Sequence, residues 1–462
     1  MPLVLGVDSS TQATKIEVRD ADTGALVGEG RAPHPPTAPP RSEQQPSAWW
    51  DAFETVRAGL PPVDAIAIAG QQHGLVALDA AGAPVRPAKL WNDTESAPDA
   101  QWLRSKRTDD EWARACGSVP VAAFTITKLS WLHRSEPEAW ERIARVCLPH
   151  DWLTLQLTRE FVTDRGDASG TGYFSPATDA YQYDLLAIVD GARDWISAVP
   201  RVLGPTEAAG SYEGALVAPG TGDNMAAALG IALAPGDVAI SLGTSGTVFA
   251  VSSTPTFDAT GAVAGFADAT GRFLPLVCTL NATKVTDTVA RWLGVTLDQL
   301  DALALDAPPG AGGITLVPYF DGERTPNRPD AAGALTGLRT SSTREHLARA
   351  AFEGVVCGLL DGLDALHANS VDTSGRLVLV GGGARSAAAQ RVVAELTGRS
   401  VTIPPPHEHV AAGACVQAAA VLHSRAPDEI ARAWHLDAGT TVEPKAEVDR
   451  DEIRARYRAA AG

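Results

Sequence analysis

The chain has 462 residues, too many for one ordinary hydrophobic core, so its length favours two or three domains. With 45% hydrophobic and 20% charged residues it has the composition of a globular enzyme, and no apolar stretch approaches the roughly 18 to 20 residues that span a bilayer. Its 38 basic against 55 acidic residues give a net charge of −17, the wrong sign for a nucleic-acid binder. Any anionic ligand would need local attraction, which backbone amides in glycine turns and a metal ion can provide. The N-terminus opens on a strand pattern and lacks the basic region, apolar core and cleavage site of a signal peptide, which makes the cytoplasm the expected location. Five widely spaced cysteines without a C-x-x-C pair read as buried thiols in a reducing compartment.

Residues 3–18 read as a β-hairpin whose turn carries Asp8-Ser9-Ser10-Thr11. The stretch 31–41 holds five prolines and should cross the surface in extended form. Pro46 then opens an amphipathic helix with Trp49, Trp50, Phe53 and Val56 spaced for the core. An apolar strand at 65–69 ends in Gly70-Gln71-Gln72-His73-Gly74. Polar side chains at the carboxyl end of a strand are either ligand contacts or a plain polar turn, and spacing alone does not separate the two. Trp91-Asn92-Asp93 sets a polar pair beside a large ring, a group suited to a hydroxyl-rich ligand. Residues 95–160 look mostly helical, with Asp151 in an N-cap position. A small polar loop at 163–176 precedes the acidic turn Gly220-Thr221-Gly222-Asp223-Asn224.

The second half repeats the opening pattern. Residues 238–251 are an apolar run, the small-residue turn Ser241-Leu242-Gly243-Thr244-Ser245-Gly246 and a second apolar run. Two such strand-turn-strand units imply a duplicated fold, with a cleft where the turns face each other. A strand at 273–280 and a helix at 285–293 follow, then a strand at 314–320 ending in Asp321-Gly322-Glu323-Arg324-Thr325-Pro326. Leu347, Ala350, Ala351, Val355, Leu359, Leu363 and Leu366 give 346–367 the period of a long core-facing helix. Finally 377–380, an apolar strand, meets Gly381-Gly382-Gly383-Ala384-Arg385-Ser386 ahead of another helix. Such a turn is either a tight connection or a place where backbone amides approach a phosphate or nucleoside.

Several familiar chemistries are excluded. No Gly-Lys dipeptide occurs, so there is no P-loop; no complete G-x-G-x-x-G follows a strand; and H-E-x-x-H is absent. What remains, in order, resembles the FGGY carbohydrate kinases of the sugar kinase, heat-shock chaperone and actin ATPase superfamily. Gly6-x-Asp8 through Lys15 is similar to the family's first phosphate loop, Gly70 to Gly74 to its sugar loop, and Trp91-Asn92-Asp93 to a sugar-side motif. Thr125-x-x-Lys128-Leu129-x-Trp131 resembles the N-terminal signature. Gly333-x-Leu335-x-Gly337-Leu338, seven residues and then His346-Leu347-x-x-Ala350-Ala351-Phe352-Glu353 resembles the C-terminal one. Gly222-Asp223-Asn224, Ser241 to Gly246, Gly322 to Pro326 and Gly381 to Ser386 complete the series, so the resemblance covers nearly the whole chain.

The resemblance implies an α/β fold of two actin-like (ribonuclease H-like) domains, duplicated around a central cleft. A sugar-binding domain is expected at 1–232 and a nucleotide-binding domain at 233–462, with a hinge at 232–236. The implied reaction moves the γ-phosphoryl group of ATP to the primary hydroxyl of a ketopentose, D-xylulose first, with Mg²⁺ bridging phosphate oxygens. Asp223 is the implied catalytic base, a role compatible with its other reading as an N-cap. Asp8 is assigned to catalysis and, with Asp223, to Mg²⁺; its alternative is an Asx turn. Gln71, Gln72, His73, Trp91, Asn92, Asp223 and Asn224 are expected around the sugar. Thr11, Lys15, Gly243, Thr244 and Ser245 are expected at the phosphates, and Gly382, Gly383 and Ala384 along the adenosine. Two positions depart from the pattern: Ser10 stands where the family usually has glycine, and Gln72 where members acting on D-xylulose usually have methionine. Alternatives are a kinase for ribulose, an alditol or glycerol, or an actin-like ATP-binding assembly or sensor protein. Partners beyond sugar and ATP are limited to a homodimer, with no nucleic acid and no membrane.

Overall fold

The structure, a computed structural model, describes residues 1–445 and 447–462. It is mixed α/β, with two sheet-containing units. The first comprises Met1–Leu233, Ser253–Leu274 and Pro406–Asp437, and the second Ala234–Ser252, Pro275–Pro405 and Ala438–Gly462.

In the first unit Leu3–Ser9 and Ala13–Asp20 form the expected antiparallel hairpin, with Asp8 opposite Lys15. Leu26–Pro33 extends it on one side. On the other side Ala65–Gly70 runs parallel to Leu3–Ser9, Ala215–Val217 runs parallel to Ala65–Gly70, and Gly210–Tyr212 closes the edge. Val4, Leu5, Val7, Ile66 and Ile68 are all buried, the near-continuous apolar pattern of strands covered on both faces. Helix Pro46–Arg57 contributes Trp49 and Phe53 to this core, and Trp49 meets Trp152 edge-on with ring centroids 6.1 Å apart. A short strand, Thr221–Gly222, pairs with the end of Ala65–Gly70 and sets Gly222 opposite Gly70. The sugar-loop motif and the acidic turn therefore leave the same sheet side by side.

Residues 253–274 and 406–437, placed in the second domain by the sequence expectation, pack in the first unit. The reason is helix His409–His423, whose Ala411, Ala412, Ala414, Cys415 and Val416 are fully buried. It crosses helix Asp223–Gly230 at backbone contact. A Cβ on Gly230 would lie 1.9 Å from the His409 carbonyl oxygen, and one on Gly413 equally close to that of Ala226. Glycine on both helices lets the helix that starts at Asp223 sit this deep.

The second unit reproduces the arrangement. Val238–Leu242 and Gly246–Ala250 form a hairpin, with Phe273–Thr279 antiparallel outside it. Leu377–Val380 is parallel to Val238–Leu242, Val401–Ile403 follows in parallel, and Thr440–Val442 ends the sheet. Helix Arg344–Ala368 forms the core, opened by Thr343, whose hydroxyl accepts from the His346 amide. Inside it Arg349 donates to Glu353, at 2.7 Å, and to Glu395, forming a buried ion network. Among the described residues no helix is long and apolar enough to cross a membrane.

Candidate active site

The hairpin turn of the first unit is built from charge. Asp8 is buried, and Ser10 Oγ donates to its Oδ1 while Lys15 Nζ lies 3.3 Å from its Oδ2. Lys15 also donates to Glu408 at 2.7 Å. Burial pushes the Asp8 carboxyl up, against the opposing effect of Lys15 and Ser10. For Lys15 burial acts downward, but Asp8 and Glu408 outweigh it and hold the ammonium charged. The Ser10 hydroxyl thus faces inward to the carboxylate.

The acidic turn stands next to this hairpin. Gly222 occupies the cap position of helix Asp223–Gly230, so Asp223 is the first helical residue and not the N-cap. Its carboxyl is raised to about 7, by burial first and then by the negative charges of Asp8 and Asp167. Asp223 Oδ1 accepts from the Asn224 amide at 2.8 Å and from Asn224 Nδ2 at 3.0 Å. The same Nδ2 donates to Gln72 Oε1 at 2.7 Å. Because a carboxylate only accepts, this chain fixes the orientation of both amides. Gln72 Nε2 is left buried without a partner, as is Gln71 Nε2.

Thr11 belongs to this sugar-loop network. Its hydroxyl accepts from Trp91 Nε1 at 2.9 Å and donates to Gln71 Oε1 at 3.1 Å. Asn92 Oδ1 is another buried atom without a partner. Asp93, by contrast, is committed to structure: Lys89 Nζ and the Ser42 amide both donate to it at 2.9 Å. The same ammonium sits 3.8 Å above the Trp131 ring, so the tryptophan of the N-terminal signature is a packing platform. His73 has a left-handed backbone, φ 66°, and its Nδ1 donates to the Gly170 carbonyl at 2.7 Å, with Phe124 and Phe266 against the ring.

Sequence reasoning missed the group behind these loops. The polar loop at 163–176 is a strand end, Val162–Asp164, and a short helix, Arg165–Ala168, with Asp164 capping it. His150 is fully buried, with Nδ1 2.6 Å from Asp167 Oδ2 and Nε2 3.1 Å from Asp151 Oδ1. Burial disfavours the imidazolium, yet Asp151, Asp167 and Asp164 together raise it to about 9. The carboxyls move the same way, Asp151 to about 7 and Asp164 to about 6, chiefly through burial. Asp151 is not the N-cap expected from sequence: helix Pro149–Thr158 starts two residues before it, and its carboxylate reaches back to accept from the Leu148 amide at 2.7 Å.

In the second unit the corresponding turn is neutral. The Gly243 amide donates to Ser245, the Gly243 carbonyl accepts from Thr283, and the Thr244 carbonyl from Ala282. Thr244 is exposed and Ser245 half-buried. The turn Gly382–Arg385 packs directly on this hairpin: a Cβ on Gly383 would lie 2.8 Å from both Leu242 Cβ and Thr283 Cγ2. Ala384 is buried beside it. Glu323, whose role was not legible, is a buried clamp that accepts from the Leu280 amide at 2.6 Å and from Asn281 Nδ2 at 2.8 Å. It fixes the segment that leads into Ala282 and Thr283.

Comparison with known proteins agrees with this layout. Residues 3–230 match the family model for the N-terminal domain of the FGGY carbohydrate kinases, and residues 238–422 that for the C-terminal domain. The chain is 48% identical to a xylulose kinase of Streptomyces coelicolor, over 98% of this chain and 94% of that protein. It is 33% identical to a xylulose kinase of Haemophilus influenzae, over 90% of each. Among solved structures, a xylulose kinase from Bifidobacterium adolescentis superposes with a TM-score of 0.88 at 42% identity, covering 100% of this chain and 99% of that one. Matched in both halves and along nearly its full length, the chain belongs to the FGGY family of carbohydrate kinases, enzymes that phosphorylate sugars from ATP.

Proposed function

We propose that the chain is a xylulokinase, moving the γ-phosphoryl group of ATP to the primary hydroxyl of D-xylulose to give D-xylulose 5-phosphate. The observation that carries the chemistry is Asp223, raised to about 7 and tied through Asn224 to Gln72, whose Nε2, like that of Gln71, is buried with its hydrogen-bonding capacity unfilled. A hydroxyl-rich ligand satisfies such atoms, and an analogue lacking the matching hydroxyl leaves them unpaired. The relatives named xylulose kinase support the choice of sugar.

Asp223 accepts the proton of the attacking hydroxyl, and Asn224 holds its carboxylate in place. Gln72 Nε2, Gln71 Nε2 and His73 orient the ketose, with Trp91 and Asn92 at its side. Lys15, the Gly243 to Ser245 turn and Thr11 act toward the phosphates, and Gly382 to Ala384 toward the adenosine. Asp8 and Asp223 suit a divalent ion, since Asp8 already raises Asp223 by like charge, and Mg²⁺ favours carboxylates that share it with phosphates and water. When bound, Mg²⁺ neutralises charge on the phosphoryl group. In this reading the enzyme is cytoplasmic, a second copy of itself is the one macromolecular partner open to it, and 232–236, where Ala232 and Gly236 both have positive φ, is the hinge.

The test is a substrate panel of D-xylulose, ribulose, alditols and glycerol with coupled ADP detection. D-xylulose is expected to give the highest kcat/KM. Preference for another acceptor by tenfold or more would move the assignment within the family, and ATP turnover independent of any sugar would favour the assembly-protein alternative.

A further inference from the structure

The loop from Asp164 to Gly170 supplies no group to the sugar pocket described above, yet it touches both of the pocket's polar loops. Asp164 Oδ2 accepts from Thr221 Oγ1 at 2.7 Å, two residues before Asp223. Asp164 also caps the short helix through the amides of Gly166 and Asp167, at 2.8 and 2.9 Å. That helix leads to Gly170, whose carbonyl accepts from His73. One rigid connector thus joins the acidic turn to the sugar loop.

His150 braces the connector from below. Its Nδ1 pairs with Asp167, and its ring and backbone fill the space under the two glycines from which the loops depart. A Cβ on Gly70 would lie 2.8 Å from His150 Cβ, and one on Gly220 2.6 Å from His150 Cδ2. All four members, His150, Asp164, Asp167 and Thr221, are buried. Burying the carboxylates of Asp164 and Asp167, with Asp151 beside them, around one imidazole costs folding free energy that an apolar filling of equal volume would not. An arrangement so costly, placed under two functional loops, calls for a function.

We propose that Thr221, Asp164, Asp167 and His150 are positioning residues that lock the turn bearing Asp223 to the loop bearing His73, so that base and sugar-binding groups keep one fixed separation. The inference rests on the kinase reading above. The network acts on the sugar side, because the contacts that tie it together, Asp164 with Thr221 and the helix that ends at Gly170 with His73, lead to loops that serve the sugar. Asp167 lies among the charges that act on Asp223, in keeping with this placement.

The experiment compares Thr221→Val, Thr221→Ser and Asp167→Asn with wild type, measuring kcat and the KM for ketose and for ATP separately, with thermal unfolding alongside. Thr221→Val removes the bond to Asp164 at nearly constant volume. We expect kcat/KM for the ketose to fall on the order of 10-fold in Thr221→Val and up to roughly 100-fold in Asp167→Asn, the scale of a small misplacement of reacting groups. The KM for ATP should stay within about twofold, and Thr221→Ser should restore the ketose kinetics. Wild-type ketose kinetics in Thr221→Val would overturn the proposal. So would a loss shared equally between both substrates and not restored by serine, since that is what general loosening of the fold produces. Should Asp167→Asn fail to fold, the threonine pair decides alone. A wild-type enzyme inactive on every ketose would instead sink the kinase reading, whatever the variants do.

Discussion

The two sheets present the same hairpin at the same place, and they differ in what the turn holds. In the first unit the strand ends set Asp8 against Lys15, with Ser10 bonded to the carboxylate. In the second, Ser241 faces Thr247, and no charged residue occurs between Val238 and Ala250. One copy carries a buried carboxylate at its turn, the other only backbone amides and hydroxyls. The strands carry the core and are constrained by it, whereas the turns are free to diverge; function therefore separated at the turns while the register was kept.

If the first unit holds the acceptor chemistry, Asp223→Ala should produce the largest effect. A fall in kcat on the order of 10² to 10⁴ is expected, with ATP binding by calorimetry unchanged. An unaltered kcat in folded protein would remove Asp223 as the base. Asp8→Asn comes next: the Mg²⁺ concentration for half-maximal activity should rise, and a titration curve identical to wild type would take Asp8 out of the metal site. The matching change in the second unit is Gly383→Ala, where the new methyl meets Leu242 and Thr283 and forces the two turns apart. On the order of a 10-fold rise in the KM for ATP is expected, equivalent to about 1.4 kcal/mol, with the ketose KM unmoved. Equal rises for both substrates would erase the contrast between the units. Smaller still is Gln72→Met, which deletes one oriented donor and introduces the side chain expected in members that act on D-xylulose. A change of roughly 2- to 10-fold in the ratio of ketose specificities is expected, the worth of a single hydrogen bond to a neutral partner.

Much of this contrast was legible in the sequence because it is local. Apolar runs flanking small turns gave both hairpins, and Asp8, Gln71 to His73, Asp223 and Asn224 lie at strand ends where such residues announce themselves. Thr11, expected at the phosphates, also bonds Trp91 and Gln71 through its hydroxyl, eighty and sixty residues away in sequence, a link that no local pattern shows. The grouping of His150 with Asp151, Asp164 and Asp167 was invisible for the same reason. Each residue alone reads as a cap or a loop, and only the packing of Gly70 and Gly220 against His150 makes them one cluster. The return of helix His409–His423 to the first unit likewise depends on glycines meeting across helices, a pairing with no local period.

The buried clusters extend the comparison to pH. The second unit neutralises its carboxylates with Arg349, which burial disfavours but Glu353 and Glu395 hold charged, so it does not titrate under ordinary conditions. The first unit uses His150, whose pKa rises from 6.5 to about 9 on folding, beside Asp151 and Asp164, which rise from 3.8 to about 7 and about 6. The folded state then binds protons that the unfolded chain has already released. Stability from His150 is fully present below pH 6.5 and is lost as pH rises through about 9; the two carboxyls lose theirs earlier, between 3.8 and 7. The effect is on the order of a few kcal/mol for each group. Hydrogen exchange at pH 6 and pH 9, corrected for intrinsic rates, should show protection falling in peptides around residues 146–170 and holding in peptides around 344–368. His150→Gln should flatten the first response and leave the second alone. A parallel decline of both regions in wild type, or an unchanged slope in the variant, would assign the pH sensitivity elsewhere and leave the two clusters electrostatically alike.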